Sequence, residues 1–344
     1  MKALYVTSLG EATGKSALCA GIGHYLRGQG RQVGYLKPVA VASEAAGAAQ
    51  DAAFFIKIFQ LDEPPDKLCP LSLEELGTAL AHPESQAPRK LMSSYSEVAV
   101  DKDTVLLEGL GGLLTDGQRT QAEAQAARLL EAKVVAIHRY GHDFDRASNL
   151  LTKAFGDSLL GVVINMVPPP KLEVVRDSEP ARWETKGIKL LGALPQDRRL
   201  MTISCAELAH ELEGEVLNPT EKLEGLVENV MVGAFTVDPG PLYYGRKGNK
   251  AVIAPLHRAD MQMAALDTPT HCLILSGQGQ PTGMTLSRAQ DAGVPLILTE
   301  RDTLSIINVI EQNLSRARFR QEAKLEPMAK LLEESLDLAA LGWG

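Results

Sequence analysis

Several things are scarce in this 344-residue sequence. Aromatic residues make up only 5% of it, tryptophan occurs twice, and no apolar run approaches the length needed to span a bilayer. Positive charge is in deficit: 35 Lys and Arg stand against 43 Asp and Glu, a net charge of −8. That balance excludes a nucleic-acid binder that works by phosphate neutralisation, and no nucleic acid and no membrane are expected as partners. The four cysteines, Cys19, Cys69, Cys205 and Cys272, show neither a CxxC nor a metal-ligand spacing, and the seven histidines are equally dispersed. A disulfide framework and a zinc site are therefore excluded, and reduced, mostly buried thiols in a cytoplasmic protein are expected. Met1-Lys2-Ala3-Leu4-Tyr5-Val6 runs directly into the first motif, so no signal peptide is expected either.

That motif is Val6-Thr7-Ser8-Leu9-Gly10-Glu11-Ala12-Thr13-Gly14-Lys15-Ser16. It follows a short apolar strand and opens a segment in which Leu18, Ile22, Tyr25 and Leu26 recur at helical spacing. Strand, glycine-containing turn, Gly-Lys-Ser and helix form the arrangement that cradles phosphate with backbone N–H groups. The strict pattern places four residues between its glycines, and Gly10 to Gly14 encloses three. What the chemistry needs is a tight turn, an ammonium for the phosphates and a hydroxyl for magnesium. Gly10 and Gly14, Lys15, and Ser16 supply these.

Further polar residues stand at the ends of expected strands, the edge where parallel sheets bind ligands. The strand 32–36 delivers Lys37, which is either a solvated lysine or a second phosphate or substrate contact. Asp51 follows a run of small residues from Ala42 to Gln50 and is either a helix-start residue or a magnesium carboxylate. Thr104-Val105-Leu106-Leu107 ends in Glu108-Gly109-Leu110-Gly111-Gly112, a carboxylate suited to magnesium beside glycines that permit close approach. After the strand 133–137 come His138, Arg139 and His142, to which no catalytic role is assigned. The strand 159–165 ends in Asn165, whose amide offers a donor and an acceptor to a purine edge or caps a turn.

Alternating strands and helices through about residue 195 predict an α/β fold, a doubly wound parallel sheet carrying the P-loop. The length exceeds what one core usually serves, and the pattern restarts near Met201. Helical Ile203–Leu212, an apolar stretch Val227–Phe235, strands at 251–254, 271–275 and 294–298, and helices at 258–266, 285–292 and 303–313 describe a second, smaller α/β domain. The expected domains are 1–200 and 201–344, the latter ending in a helical tail.

These motifs resemble those of dethiobiotin synthetase: Val6 to Ser16, Gly34-Tyr35-Leu36-Lys37-Pro38-Val39, Glu108 to Gly112, Val163-Ile164-Asn165 and Leu191-Gly192-Ala193-Leu194-Pro195, in order across the first domain. The resemblance implies ATP and Mg2+ as cofactors. It gives Lys15 and Lys37 contacts to phosphates or the reacting group, sets Ser16, Asp51 and Glu108 around magnesium, and has Asn165 read adenine. Its chemistry forms an acyl-phosphate-type intermediate from a carbamate and ATP. Ser8 stands where a glycine is expected and Ala12 where a glutamate is expected. Those departures keep phosphate binding and turn the expectation away from the family's own substrate. The related synthetases also imply a homodimer.

The second domain resembles the DRTGG domain through Asn249-Lys250-Ala251-Val252-Ile253 and His257-Arg258-Ala259-Asp260, with His257 where an acidic residue is usual. The two-domain order resembles the N-terminal half of long bacterial phosphotransacetylases. Because the sequence stops at Gly344 without an acyltransferase domain, phosphotransacetylase activity is not expected. Three readings follow: an ATP- and magnesium-binding protein with a regulatory DRTGG-like domain, linked to acyl-phosphate metabolism; an ATPase or ATP-dependent ligase acting on a small molecule; or a degenerate scaffold for a partner.

Overall fold

Burial on both faces makes the central strands of the first unit near-continuous hydrophobic runs, as parallel strands covered on both sides require. In chain order the elements are β1 (Ala3–Ser8), α1 (Lys15–Gly28), β2 (Val33–Leu36), α2 (Ala45–Phe59), α3 (Leu73–Ala81), α4 (Ala87–Val98), β3 (Thr104–Glu108), α5 (Gly117–Leu129), β4 (Lys133–Arg139), α6 (Phe144–Phe155), β5 (Leu159–Val167), α7 (Leu172–Glu184) and β6 (Leu190–Pro195). The sheet runs β2-β3-β1-β4-β5-β6 with every pair parallel. Every residue of β1 is buried. The order reverses around β1, so the doubly wound sheet has its switch point at the strand that leads into Gly14-Lys15-Ser16. Polar caps start the helices: Asp116 accepts from the N–H groups of Gln118 and Arg119 ahead of α5, and Asp143 accepts from Arg146 N–H ahead of α6.

The computed structural model describes residues 3–41, 45–81, 85–218, 220–233, 240–315 and 319–342. It divides into one unit of Met1–Asp197 with Arg318–Gly344 and a second of Arg198–Ala317. Of the expected features, Ala42 to Glu44 and the end of the stretch reaching Phe235 lie outside the described residues.

The second unit contains α8 (Cys205–Glu211), β7 (Glu215–Val216), β8 (Asn229–Val232), α9 (Pro241–Tyr244), β9 (Lys250–Pro255), α10 (Ala259–Leu266), β10 (Thr270–Ser276), α11 (Gly283–Ala292), β11 (Leu296–Thr299) and α12 (Thr303–Ser315). Its sheet is ordered β7-β11-β10-β9-β8, with only β7 antiparallel to its neighbour. Alternation along β9 splits the core in two. Ala251 and Ile253 pack with Leu208, Ile306 and Ile310 of α8 and α12, whereas Val252 and Ala254 pack with Tyr244, Met261 and Ala289 of α9, α10 and α11. A Ser204–Glu207 capping box opens α8, so the expected helix from Ile203 begins two residues later.

The expected tail differs most. Arg318–Gly344, read as part of a domain 201–344, groups instead with the first unit. There α13 (Leu325–Ser335) buries Leu325, Met328 and Leu332, and a Cβ on Gly21 of α1 would press into Met328 and Leu332. Leu336 bridges to Gly192 of β6 and Lys189 pairs with Asp337 at 2.8 Å. An apolar helical face must be covered wherever cover is available, and chain adjacency to the second unit does not decide where.

Candidate functional site

At the carboxyl end of β1 the chain turns through residues 9–14, and α1 begins on Gly14 with no side chain capping its first N–H groups. Those donors are left facing the turn, where an anion would meet them and the positive end of the helix dipole. Gly14 has φ +99°, and a Cβ there would come within 2.6 Å of Asn165 Nδ2, so only glycine fits. Ala12 holds a left-handed φ of +48° without being glycine, a cost concentrated in the turn itself.

Lys15 and Ser16 each meet a partner from the sheet. Lys15 Nζ donates to Ser8 Oγ at 3.2 Å, and Ser8 Oγ donates to the Gly10 carbonyl at 2.7 Å. The serine that replaces an expected glycine thus docks the ammonium. Gly111, at φ +76°, lies so close that a Cβ would overlap Lys15 Nζ. Burial pulls the Lys15 pKa below the ordinary lysine value, and the charges of Glu108 and Glu123 oppose that pull.

Ser16 Oγ donates to Glu108 Oε1 at 2.8 Å, and the buried Tyr35 hydroxyl donates to Glu108 Oε2 at 2.9 Å. Burial first, then the Glu108 and Asp51 charges, pushes the Tyr35 pKa up. The phenol therefore stays a donor. Glu108 is 2% exposed and is the last residue of β3. A hydroxyl and a carboxylate side by side at the helix start are hard oxygen donors, and magnesium ordinarily takes one or two such groups with phosphates and waters completing its shell. The residues present fit that ion. Among the described residues no group of three or more His, Cys, Asp or Glu side chains is arranged to hold a metal.

Asp51 is elsewhere committed. Its Oδ2 lies 3.5 Å from Lys37 Nζ, and its Oδ1 lies 2.7 Å from the guanidinium of Arg320. Lys37 and Asp51 are thus brought together, and Tyr35 feels the charges of both carboxylates. Asn165 lies inside β5, two residues before the strand's end, because pairing of Arg139 with Asn165 and of Val167 with Pro195 carries the ladders past the expected stops at 137 and 165. Its Nδ2 donates to Thr13 O at 2.7 Å and its Oδ1 accepts from Met166 N–H at 2.8 Å. The amide braces the turn, with one N–H and one lone pair left over.

His138 and Arg139 fall within β4 for the same reason. His138 stacks edge-on against Trp183 at 5.3 Å, and burial, helped by His142 and Arg182, pulls its pKa down to about 4. His142 stands beside Gly10. In the second unit Arg258 grips Asp260 through Nε at 2.9 Å and through its terminal nitrogen at 2.7 Å, which holds the Asp260 pKa at about 2. All four cysteines are free thiols, three of them buried.

Three residues of this site carry weight that the sequence reading did not give them: Tyr35, Glu123 and Arg320. Glu123 was findable as the one carboxylate on the buried alanine stripe of α5. Its Oε1 accepts the Gly111 N–H at 2.5 Å, which fastens the glycine loop beneath Lys15. Burial raises its pKa to about 6, against the hydrogen bond from Gly111 and the charges of Lys15 and Arg119. A raised folded pKa means stability present below the unfolded value of 4.5 and lost as pH rises through 6. His138 works oppositely, its contribution being lost as pH falls from 6.5 towards 4. The two offset each other between about pH 4.5 and 6. Glu123→Gln should therefore melt higher at pH 7, by about 2 kcal/mol of stability. It should also lose stability more steeply on acidification than the parent, as thermal melts across pH 4–8 would read.

Comparison with known proteins follows this division. The family described as AAA domain matches residues 2–204, and the DRTGG domain matches residues 207–313. The ATP-dependent dethiobiotin synthetase BioD of Streptomyces avermitilis is 28% identical over 206 residues, covering 57% of this chain and 84% of that protein. The phosphate acetyltransferase of Deinococcus radiodurans is 22% identical over 277 residues, covering 77% of this chain but only 39% of its own length. Among solved structures, the MinC:MinD cell division protein complex of Aquifex aeolicus is 15% identical with a TM-score of 0.38, covering 58% of this chain and 84% of that one.

Proposed function

The chain belongs to the AAA domain family, its P-loop domain of the dethiobiotin synthetase kind being followed by a DRTGG domain, and from that premise we propose that it binds ATP and magnesium under the control of the DRTGG domain. The observation that carries this reading is the Ser16–Glu108 hydrogen bond of 2.8 Å beside a buried Lys15 docked on Ser8. Donors for phosphate and ligands for a cation stand together at the switch point of the sheet.

In this reading the first N–H groups of α1 and the Lys15 ammonium bind the β- and γ-phosphates. Ser16 and Glu108 hold magnesium, which would neutralise phosphate charge when bound. Tyr35 keeps the Glu108 carboxylate oriented by its hydrogen bond. Asn165 uses its spare donor and acceptor on the adenine edge while bracing Thr13. Lys37 receives the γ-phosphate or an acidic substrate. Asp51 serves as counter-charge to Lys37, a role favoured over direct magnesium contact by its bonds to Arg320. The location is cytoplasmic; among the described residues no helix is long and apolar enough to cross a membrane.

A ligase reading has its own support, since 57% of this chain aligns with 84% of a dethiobiotin synthetase. It predicts ADP release that depends on a carboxylate or amine substrate. Calorimetry with ATP, in the presence and absence of Mg2+, decides the main reading: saturable binding that tightens with Mg2+ is expected, and no heat under either condition would end it. A dimer belongs to the same proposal, and sedimentation with and without ATP reads it.

A further inference from the structure

The first described residues after the second unit are Phe319 and Arg320, and Arg320 reaches Asp51 beside Lys37. Arg320 donates from Nε to Asp51 Oδ1 at 2.7 Å and from a terminal nitrogen to the Gly47 carbonyl at 2.9 Å, and its other terminal nitrogen meets Gln50 Oε1. One guanidinium thus spans Gly47, Gln50 and Asp51 of α2 from a single direction. Phe319 packs edge-on against Phe54 at 6.2 Å, and Glu322 pairs with Lys57 at 2.6 Å, so the strap runs along α2 and holds the arginine in place.

The bonds fall unequally on the carboxylate. Arg320 takes Oδ1, and Oδ2 is left turned to Lys37 Nζ at 3.5 Å. All three side chains are nearly enclosed: Lys37, Asp51 and Arg320 are 13%, 14% and 18% exposed. In such surroundings a planar fork fixes a carboxylate's rotation far better than a lysine can. We propose that Arg320 is a positioning residue, setting the rotation of Asp51 so that Asp51 holds the Lys37 ammonium at the mouth of the nucleotide site. The inference rests on the proposed nucleotide site for its consequence and on this geometry for its substance.

Two measurements test it. In the nucleotide-free protein, limiting acetic anhydride followed by mass spectrometry reads the reactivity of Lys37. Arg320→Ala should raise that reactivity severalfold at unchanged circular dichroism, Asp51→Asn should raise it equally, and the double variant should add nothing. Arg320→Lys should fall between parent and alanine, which keeps the test usable if the alanine variant folds poorly. In calorimetry, Arg320→Ala should weaken MgATP binding by about tenfold, the scale of one charge-assisted contact, and should have no effect when Lys37 is already alanine. Unchanged Lys37 reactivity in a folded Arg320→Ala protein, or an equal loss of affinity with and without Lys37, overturns the proposal. If the parent protein binds no MgATP while the reactivity shift is present, the nucleotide reading falls and the positioning of Lys37 by Arg320 stands.

Discussion

Lys15→Ala is expected to weaken ATP binding about 100-fold, equivalent to about 3 kcal/mol, by titration calorimetry at saturating Mg2+. Two losses combine in that figure. The charge-assisted contact to phosphate disappears, and the carboxylates of Glu108 and Glu123, which both interact with the ammonium, are left facing an anionic ligand without compensation. Lys15→Arg should not rescue, because Gly111 already lies against Nζ and leaves no room for a larger head group. The effect should shrink at high salt less than a surface contact would, since the group is enclosed. Unaltered affinity in Lys15→Ala would mean that the turn at residues 9–14 is not where the nucleotide binds.

Local signals were the readable ones. The turn was recognisable despite a glycine spacing one residue short because Gly14, Lys15 and Ser16 open a helix directly after a strand that is buried throughout. The place of Glu108 was readable because it closes the buried run 104–107 just before a glycine-rich turn. Strand ends were less readable: hydrophobicity fades at Ile137, yet backbone pairing continues to Arg139 and Asn165, since ladder bonds are indifferent to side-chain polarity. Arg320 was out of reach. Its contact with Asp51 spans 269 positions, and nothing local distinguishes it from a solvated arginine.

The strap itself predicts the second large effect. A protein ending after Ala317 should lose the cooperative unfolding transition of the first unit while keeping that of the second, as differential scanning calorimetry would resolve. The removed helix α13 buries Leu325, Met328, Leu331 and Leu332, the last at 0% exposure. Each such side chain is worth about 2 kcal/mol, so the four together approach the entire 5–15 kcal/mol, roughly, that keeps a domain folded. The face they cover is built for them. Gly21 on α1 has no side chain to fill the gap, and its immediate contacts are Met328 and Leu332. Without α13 the P-loop helix would expose an apolar groove along its back, and β6 would lose the antiparallel bridge between Gly192 and Leu336. A truncated protein whose first transition persists within a few degrees would show that α1 is held by the sheet and α2 alone. The strap's contribution would then be confined to Arg320 and Asp51.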